Sequence, residues 1–285
     1  MAIFRRGMHF RSYGSLDDGP GVFDRLRAAV EIAEEAGFDA LSVPDHLQQN
    51  RVGGGPDSPM FEAYTLLGAL AMRTSSARLL ALVSPVTLRN PALLAKCVTT
   101  LDVVSRGRAV LGVGAGWDVA EHEAYGLAFP GTGERMDRLG EALAVCRAMF
   151  AGQRASVAGT YYSVHDAPNS PRPVGTIPIL VGGGGERRTL DLAARYADAC
   201  NVFGDPATAR HKFDVLEQHC ERAGLDPAEI TKTVFAPPPD DLADFAAAAR
   251  ALAAAGAEGM IVIGPEDPGR IPAIGQVLAD VFPGS

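Results

Sequence analysis

Ile177-Pro178-Ile179-Leu180-Val181-Gly182-Gly183-Gly184-Gly185-Glu186-Arg187-Arg188 carries an apolar, β-branched run straight into four glycines. Thr189, Leu190, Leu192, Ala193 and Ala194 then recur at helical spacing. A strand therefore feeds a helix through a turn with no side chains in the way. Such a turn offers unpaired backbone N–H groups and the positive end of a helix dipole to one point in space. That point suits a phosphate, and Arg187 and Arg188 add positive charge where the dipole alone favours acids. The competing account is a tight strand–helix turn whose glycines only allow close packing. Glycine weakens ordinary structure, so four in succession favour the anion site.

Outward from this unit the same alternation recurs. Short apolar strands are expected at Ile3–Arg11, Ala40–Val43, Leu79–Val83, Ala109–Val113, Ile179–Val181, Ala199–Phe203, Thr231–Phe235 and Met260–Ile263. Helical stripes fall between them, among them Val22–Ala33, Met60–Met72, Pro91–Leu101 and Met136–Phe150. Further stripes follow the glycine run at Thr208–Gly224, Leu242–Gly256 and Ile271–Val281. The reading gives eight strands and eight helices. Strands that are apolar on both faces and joined by helices demand a parallel sheet. Eight such units close into a (β/α)8 TIM barrel, expected here as a single domain over residues 1–285. A small hairpin at Val157–Val164, with Gly159-Thr160 at its centre, interrupts the rhythm after the fourth helix. A doubly wound open sheet is the alternative. Its fingerprint would place G-x-G-x-x-G after the first strand, where His9-Phe10-Arg11 stand instead.

Composition narrows the function. The 285 residues are 47% hydrophobic and carry a net charge of −8, which argues against a nucleic-acid footprint. Cys97, Cys146, Cys200 and Cys220 form no C-x-x-C pair, so neither a zinc knuckle nor a redox dithiol is indicated. No H-x-x-x-H or H-x-H pair points to a metal, and no G-x-S-x-G elbow points to a serine hydrolase. No apolar run reaches membrane-spanning length. A soluble, cytoplasmic protein is expected.

A barrel keeps its chemistry on the loops after the strands. The candidates there are His9 and Tyr13 after strand one, then Asp45 and His46 after strand two. Ser84, Pro85, Thr87 and Arg89 follow strand three, and Gly114, Gly116, Trp117, Glu121 and His122 follow strand four. Asn201 and Phe203 follow strand six. His46 is the preferred catalytic residue, because imidazole exchanges a proton near neutral pH. A structural hydrogen-bonding role is the alternative for it. Asp45 is adjacent, but neighbouring strand-end side chains point apart, so no Asp45–His46 pair is expected. His122 is expected on a solvated helix face, and no role is assigned to His165, His211 or His219. Trp117 either stacks on a flat ligand or plugs the barrel mouth. Gln48–Pro59, with Gly53-Gly54-Gly55, has the make-up of a mobile lid that sets substrate choice.

Several of these segments resemble the bacterial luciferase-like superfamily, and in particular its oxidoreductases that use the deazaflavin coenzyme F-420. They are Gly37-Phe38-Asp39 to Pro44-Asp45-His46, Arg89-Asn90-Pro91 to Lys96, and Leu101-Asp102 to Arg108. Gly112-Val113-Gly114-Ala115-Gly116-Trp117, Gly133-Glu134-Arg135 and Gly182 to Arg188 complete the set. The resemblance implies coenzyme F-420, or FMN, lying across the barrel mouth, with a small molecule as substrate and a homodimer as the assembly. It puts the cofactor phosphate near Val181, Gly182, Gly183 and Gly184, helped by Arg187. The ring system would rest near Asp45, Val83, Ser84, Gly114, Gly116 and Trp117, with His46 handling the proton that accompanies a hydride. It also implies a bulged, non-prolyl cis peptide around Leu82, Val83 and Ser84. The deazaflavin sugar-phosphate dehydrogenases place a tryptophan shortly after the histidine and a glutamate directly after the fourth-strand glycines. Asn50 and Trp117 stand there in this chain, which argues against a sugar-phosphate reaction. The rival functions are an FMN-dependent monooxygenase on the same barrel and a non-catalytic deazaflavin-binding protein.

Overall fold

Eight parallel staves form the centre of the molecule. A computed structural model describes residues 2–11, 21–152, 154–237 and 240–284; Tyr13 lies outside them. The staves are β1 (Arg6–His9), β2 (Ala40–Val43), β3 (Arg78–Ala81) continued by β4 (Ser84–Pro85), and β5 (Leu111–Gly114). After a two-stranded antiparallel ladder of β6 (Ala155–Val157) and β7 (Val164–Ala167) come β8 (Ile179–Gly182), β9 (Ala199–Phe203), β10 (Thr231–Ala236) and β11 (Gly259–Ile263). The parallel sheet runs β3-β2-β1-β11-β10-β9-β8-β5-β4. It closes where Leu79 pairs with Ala109, through Leu79 N–H to Arg108 O (2.9 Å) and Val110 N–H to Leu79 O (3.0 Å).

Closure explains why the strands read as unbroken apolar runs. Alternate side chains enter two different cores. Phe4, Ala40, Leu80, Val110, Leu180, Ala199 and Ile261 fill the barrel lumen. Leu41, Leu79, Leu111, Ile179, Val181 and Val262 point outward into the larger core under the helices. Inward parity then places His9, Ser42, Asn201 and Thr233 one layer above the lumen's apolar plug. All four are buried.

The helices are α1 (Gly21–Glu35), α2 (Ala63–Ala71), α3 (Pro91–Val104), α4 (Val119–Ala124), α5 (Thr132–Phe150), α6 (Thr189–Tyr196), α7 (Pro206–Ala223), α8 (Leu242–Ala254) and α9 (Ile271–Val281). Caps set several of their boundaries. Asn90 accepts from Ala92 N–H ahead of Pro91, and Asp205 accepts from Thr208 N–H ahead of Pro206. Gly224 ends α7 at φ 69°, where a side chain would be strained.

Helix α4, expected around His122 but not counted among the eight, brings the helices of the described residues to nine. The third strand, read as one run over Leu79–Val83, stops at Ala81 and resumes pairing at Ser84. The Leu82–Val83 peptide between them is non-prolyl cis, as the family resemblance implied. No helix among the described residues is long and apolar enough to cross a membrane.

Candidate active site

The break in the third stave shapes the barrel mouth. Val83 leans inward against the glycines of β5 and β8. A Cβ added to Gly114 would lie 2.8 Å from Val83 Cγ2, and one added to Gly182 would lie 2.8 Å from Val83 Cγ1. These two glycines are therefore required by a neighbouring side chain. Gly116, at φ 82°, has Thr87 Oγ1 and Pro85 Cβ in the space its own Cβ would take. Above Val83 lies a cavity of about 310 Å³ at the C-terminal ends of the strands. Leu82, Val83, Gly114, Gly116, Trp117 and His46 form one flank, and Gly182 to Gly185, Thr189, Asn201, Phe203 and Phe235 the other.

His46 is held in one orientation. Its Nδ1 lies 3.1 Å from Glu121 Oε2, and the other Glu121 oxygen accepts Leu47 N–H. Glu121 is buried, and Asp118 caps its helix by accepting Glu121 N–H at 3.1 Å. Burial pushes the Glu121 carboxyl up, but the His46 hydrogen bond and the Leu47 and Gln48 N–H groups outweigh it and hold the pKa below the ordinary glutamate value. Burial likewise opposes the His46 imidazolium. The hydrogen bond and charge of Glu121, with Asp118 and Asp45 beyond, reverse that and raise its pKa above the usual histidine value. An ionised Glu121 keeps the proton on Nδ1, which leaves Nε2 to exchange protons. Trp117 stands edge-on to the His46 ring at 5.5 Å and is 61% exposed, at the rim and not as a plug.

The other expected residues separate by direction. Asp45 points away from the cavity to Arg89, whose Nη1 is 2.5 Å from Asp45 Oδ2, while Arg89 Nη2 binds Glu62. Ser84 is turned to the same side and bonds the Tyr64 hydroxyl at 2.8 Å. His122 is not on a solvated face. It is 1% exposed, bonded to Asp118 O and to Thr87 Oγ1, because α4 turns its polar face inward against the mouth. His9 is buried in the lumen with Nδ1 3.0 Å from Ser42 Oγ. Burial, then the charges of Arg11 and His46, lower its pKa to about 3. The expected lid is stitched at both ends by Gln49, whose Nε2 donates to Arg11 O and Pro59 O.

On the far flank the glycine run opens into α6. Gly183 N–H is taken by Asn201 O at 3.0 Å, whereas the N–H groups of Gly184 and Gly185 have no protein acceptor among the described residues. Arg188 is drawn off to Asp137 and Gly133 O, and Arg187 is exposed outside the cavity wall. The cation beside the run is Lys212 from α7, which sequence reasoning missed. Its stem lies 3.5 Å from where a Gly184 Cβ would sit, and its ammonium binds Glu186 at 2.5 Å. Nothing in the order of residues links α7 to this turn; only the packing of α6 on α7 does.

A histidine with a fixed tautomer thus shares an aromatic-walled cavity with a turn of free amides. Over residues 7–262 the chain matches the model of the luciferase-like monooxygenases. It belongs to that family. Among curated members, the F-420-dependent glucose-6-phosphate dehydrogenase of Microbacterium testaceum is 39% identical over 168 residues, 59% of this chain and 48% of that protein. The chain spans about half the length of such relatives. Among solved structures, an F-420-dependent secondary alcohol dehydrogenase in complex with an F-420–acetone adduct superposes with a TM-score of 0.82 at 18% identity. The match covers 98% of this chain and 100% of that one. The F-420-dependent tetrahydromethanopterin reductase of Methanopyrus kandleri gives 0.79 at 18% identity, covering 98% and 99%. At that identity the likeness is one of fold. This family member shares their barrel from end to end.

Proposed function

We propose that the chain is an F-420-dependent oxidoreductase that moves a hydride to or from a small organic hydroxyl or carbonyl compound. The observation that carries this is the buried Glu121 carboxylate fixing Nδ1 of His46, a residue that lines the cavity, which leaves the second ring nitrogen to exchange a proton. The curated relatives named for F-420 support the choice of coenzyme. The site also suits such a group: Trp117, Phe203 and Phe235 offer flat apolar walls, and Gly184 and Gly185 offer free amides beside Lys212.

When bound, the deazaflavin supplies the two-electron hydride chemistry. The protein supplies the rest. His46 Nε2 takes the hydroxyl proton when an alcohol is oxidised, or returns it to the oxygen when a carbonyl is reduced. Glu121 offsets the charge that appears on the ring. Val83 supports the cavity floor from below, and the Gly184 and Gly185 amides with Lys212 hold the phosphate. In this reading Asp45 and Ser84 act from behind the wall, and Arg187 meets only the outer end of a long anionic tail. The family resemblance alone extends the reading to a homodimer.

Fluorescence titration of purified protein with F-420 and with FMN tests the assignment. F-420 should bind at least about tenfold more tightly, roughly 1.4 kcal/mol. Equal or reversed affinities would return the chain to FMN-dependent oxygen chemistry, the activity of the family's name. Oxidation of bound coenzyme only when substrate is present separates an enzyme from a carrier. Glucose 6-phosphate, from the relatives' name, is the first compound to assay. Turnover with it would overturn the argument drawn from Asn50 and Trp117.

A further inference from the structure

One polar side chain in the cavity has a hydrogen-bonding group that the protein leaves open. Asn201 is 2% exposed and sits on the inward face of β9. Its backbone oxygen is taken by Gly183 N–H, and its Nδ2 donates to Thr233 Oγ1 at 2.9 Å. The Thr233 hydroxyl spends its own proton on Cys200 O at 2.7 Å, so towards Asn201 it can only accept. A flipped amide would set two acceptors against each other. The orientation is therefore settled by the bonding chain.

That leaves Asn201 Oδ1. It has no partner among the described residues, yet it is not sealed in protein as the unpaired Asn169 Oδ1 is. Asn201 lines the cavity, and the cavity is the space this oxygen meets. A ligand that covers this oxygen without supplying a donor leaves a buried acceptor unpaired, which is costly, so the oxygen discriminates strongly between ligands that carry a donor there and those that do not.

We propose that Asn201 is a specificity-determining residue, whose Oδ1 accepts a hydrogen bond from a neutral N–H or O–H of the bound molecule and whose orientation is locked by Thr233. The proposal rests on the oxidoreductase reading. Two sources carry such a donor: the imide N–H of a flavin or deazaflavin ring, and the hydroxyl of an alcohol substrate. A carbonyl or carboxylate oxygen at the same point would be rejected.

The test compares wild type with Asn201→Leu, Thr233→Val and Thr233→Ser. Each is titrated with F-420 and with FMN, and KM is then measured at saturating cofactor. Thermal melts check that each variant folds. Asn201→Leu should weaken the donor-bearing ligand about tenfold. Thr233→Val, which frees the amide to rotate, should weaken it about two- to fivefold, and Thr233→Ser should match wild type. A loss in the cofactor titration assigns the donor to the ring; a loss confined to KM assigns it to the substrate. Folded Asn201→Leu and Thr233→Val proteins that match wild type in both measurements overturn the proposal and leave the oxidoreductase reading standing. Binding of FMN alone overturns the F-420 reading while the Asn201 comparison is still made, because FMN carries the same imide. Binding of neither cofactor overturns both.

Discussion

His46 is legible as a residue because histidine after a barrel strand is rare enough to notice and its chemistry is general. Its partner was in view too, since Glu121 lies after the fourth strand, but no spacing joins two residues 75 positions apart. The partner decides the chemistry. Glu121 raises the His46 pKa, so removing its charge lowers it. For alcohol oxidation the neutral ring must act as base, and the rate rises with pH through that pKa. Glu121→Gln should therefore shift the ascending limb of the single-turnover rate to lower pH, while the cofactor Kd changes much less. His46→Ala should cost about 10²–10⁴ in the same rate above that pKa, where the wild-type ring is neutral, and abolish the limb. An unmoved limb in Glu121→Gln means that the carboxylate only shapes the loop. Asp45, one residue before His46, turns the other way because successive side chains at a strand end alternate, and Arg89 receives it.

At the scale of elements, long regular segments were legible and irregular ones were not. Ile271–Val281 is a helix over the very residues its period marks. A helix at His122 was expected, but six residues hold less than two turns and show no apolar stripe, so the burial of Glu121 and His122 was not legible. The break at Leu82–Val83 was expected only through family resemblance, since nothing in an apolar run announces where pairing stops. Gly114, expected beside the cofactor ring, makes room for Val83. This gives a prediction. Gly114→Ala puts a methyl 2.8 Å from Val83 Cγ2, and overpacking of this kind costs about 1–3 kcal/mol. Adding Val83→Ala should restore most of the loss, which appears as a coupling in a double-mutant cycle of urea unfolding. Additive effects would mean that the methyl is accommodated elsewhere. In the anion turn, Gly183 sits at φ 116° and would be strained by any side chain, so Gly184, with Lys212 alongside, is the position at which to add a carboxylate against a bound phosphate.

The molecule has two nested cores with a polar layer at the top of the inner one, and His9 in that layer ties stability to pH. Alternation along parallel strands made the barrel legible, but parity alone cannot say that His9 ends in the lumen with no solvent to share its charge. Neutral His9 donates from Nδ1 to Ser42, whose hydroxyl serves Met8 O. Its folded pKa is about 3, against 6.5 for the free side chain. Between those values the unfolded chain binds a proton that the folded chain refuses, so stability falls as pH drops from 6.5 towards 3. At pH 4.5 the gap of two pH units below 6.5 amounts to about 2–3 kcal/mol. Other groups act in the same range. The net charge of −8 shrinks as carboxylates protonate, Glu121 holds its proton off below the ordinary glutamate value, and the raised His46 pKa favours the folded state in acid. A His9→Asn variant shares all of these, while its amide can still donate to Ser42. Asparagine carries no proton to refuse. Urea unfolding at pH 7.0 and 4.5 should therefore show the variant less stable than wild type at the higher pH, with the difference closing by about 2–3 kcal/mol at the lower one. A difference that stays constant across that range would place the acid sensitivity of the barrel outside its lumen.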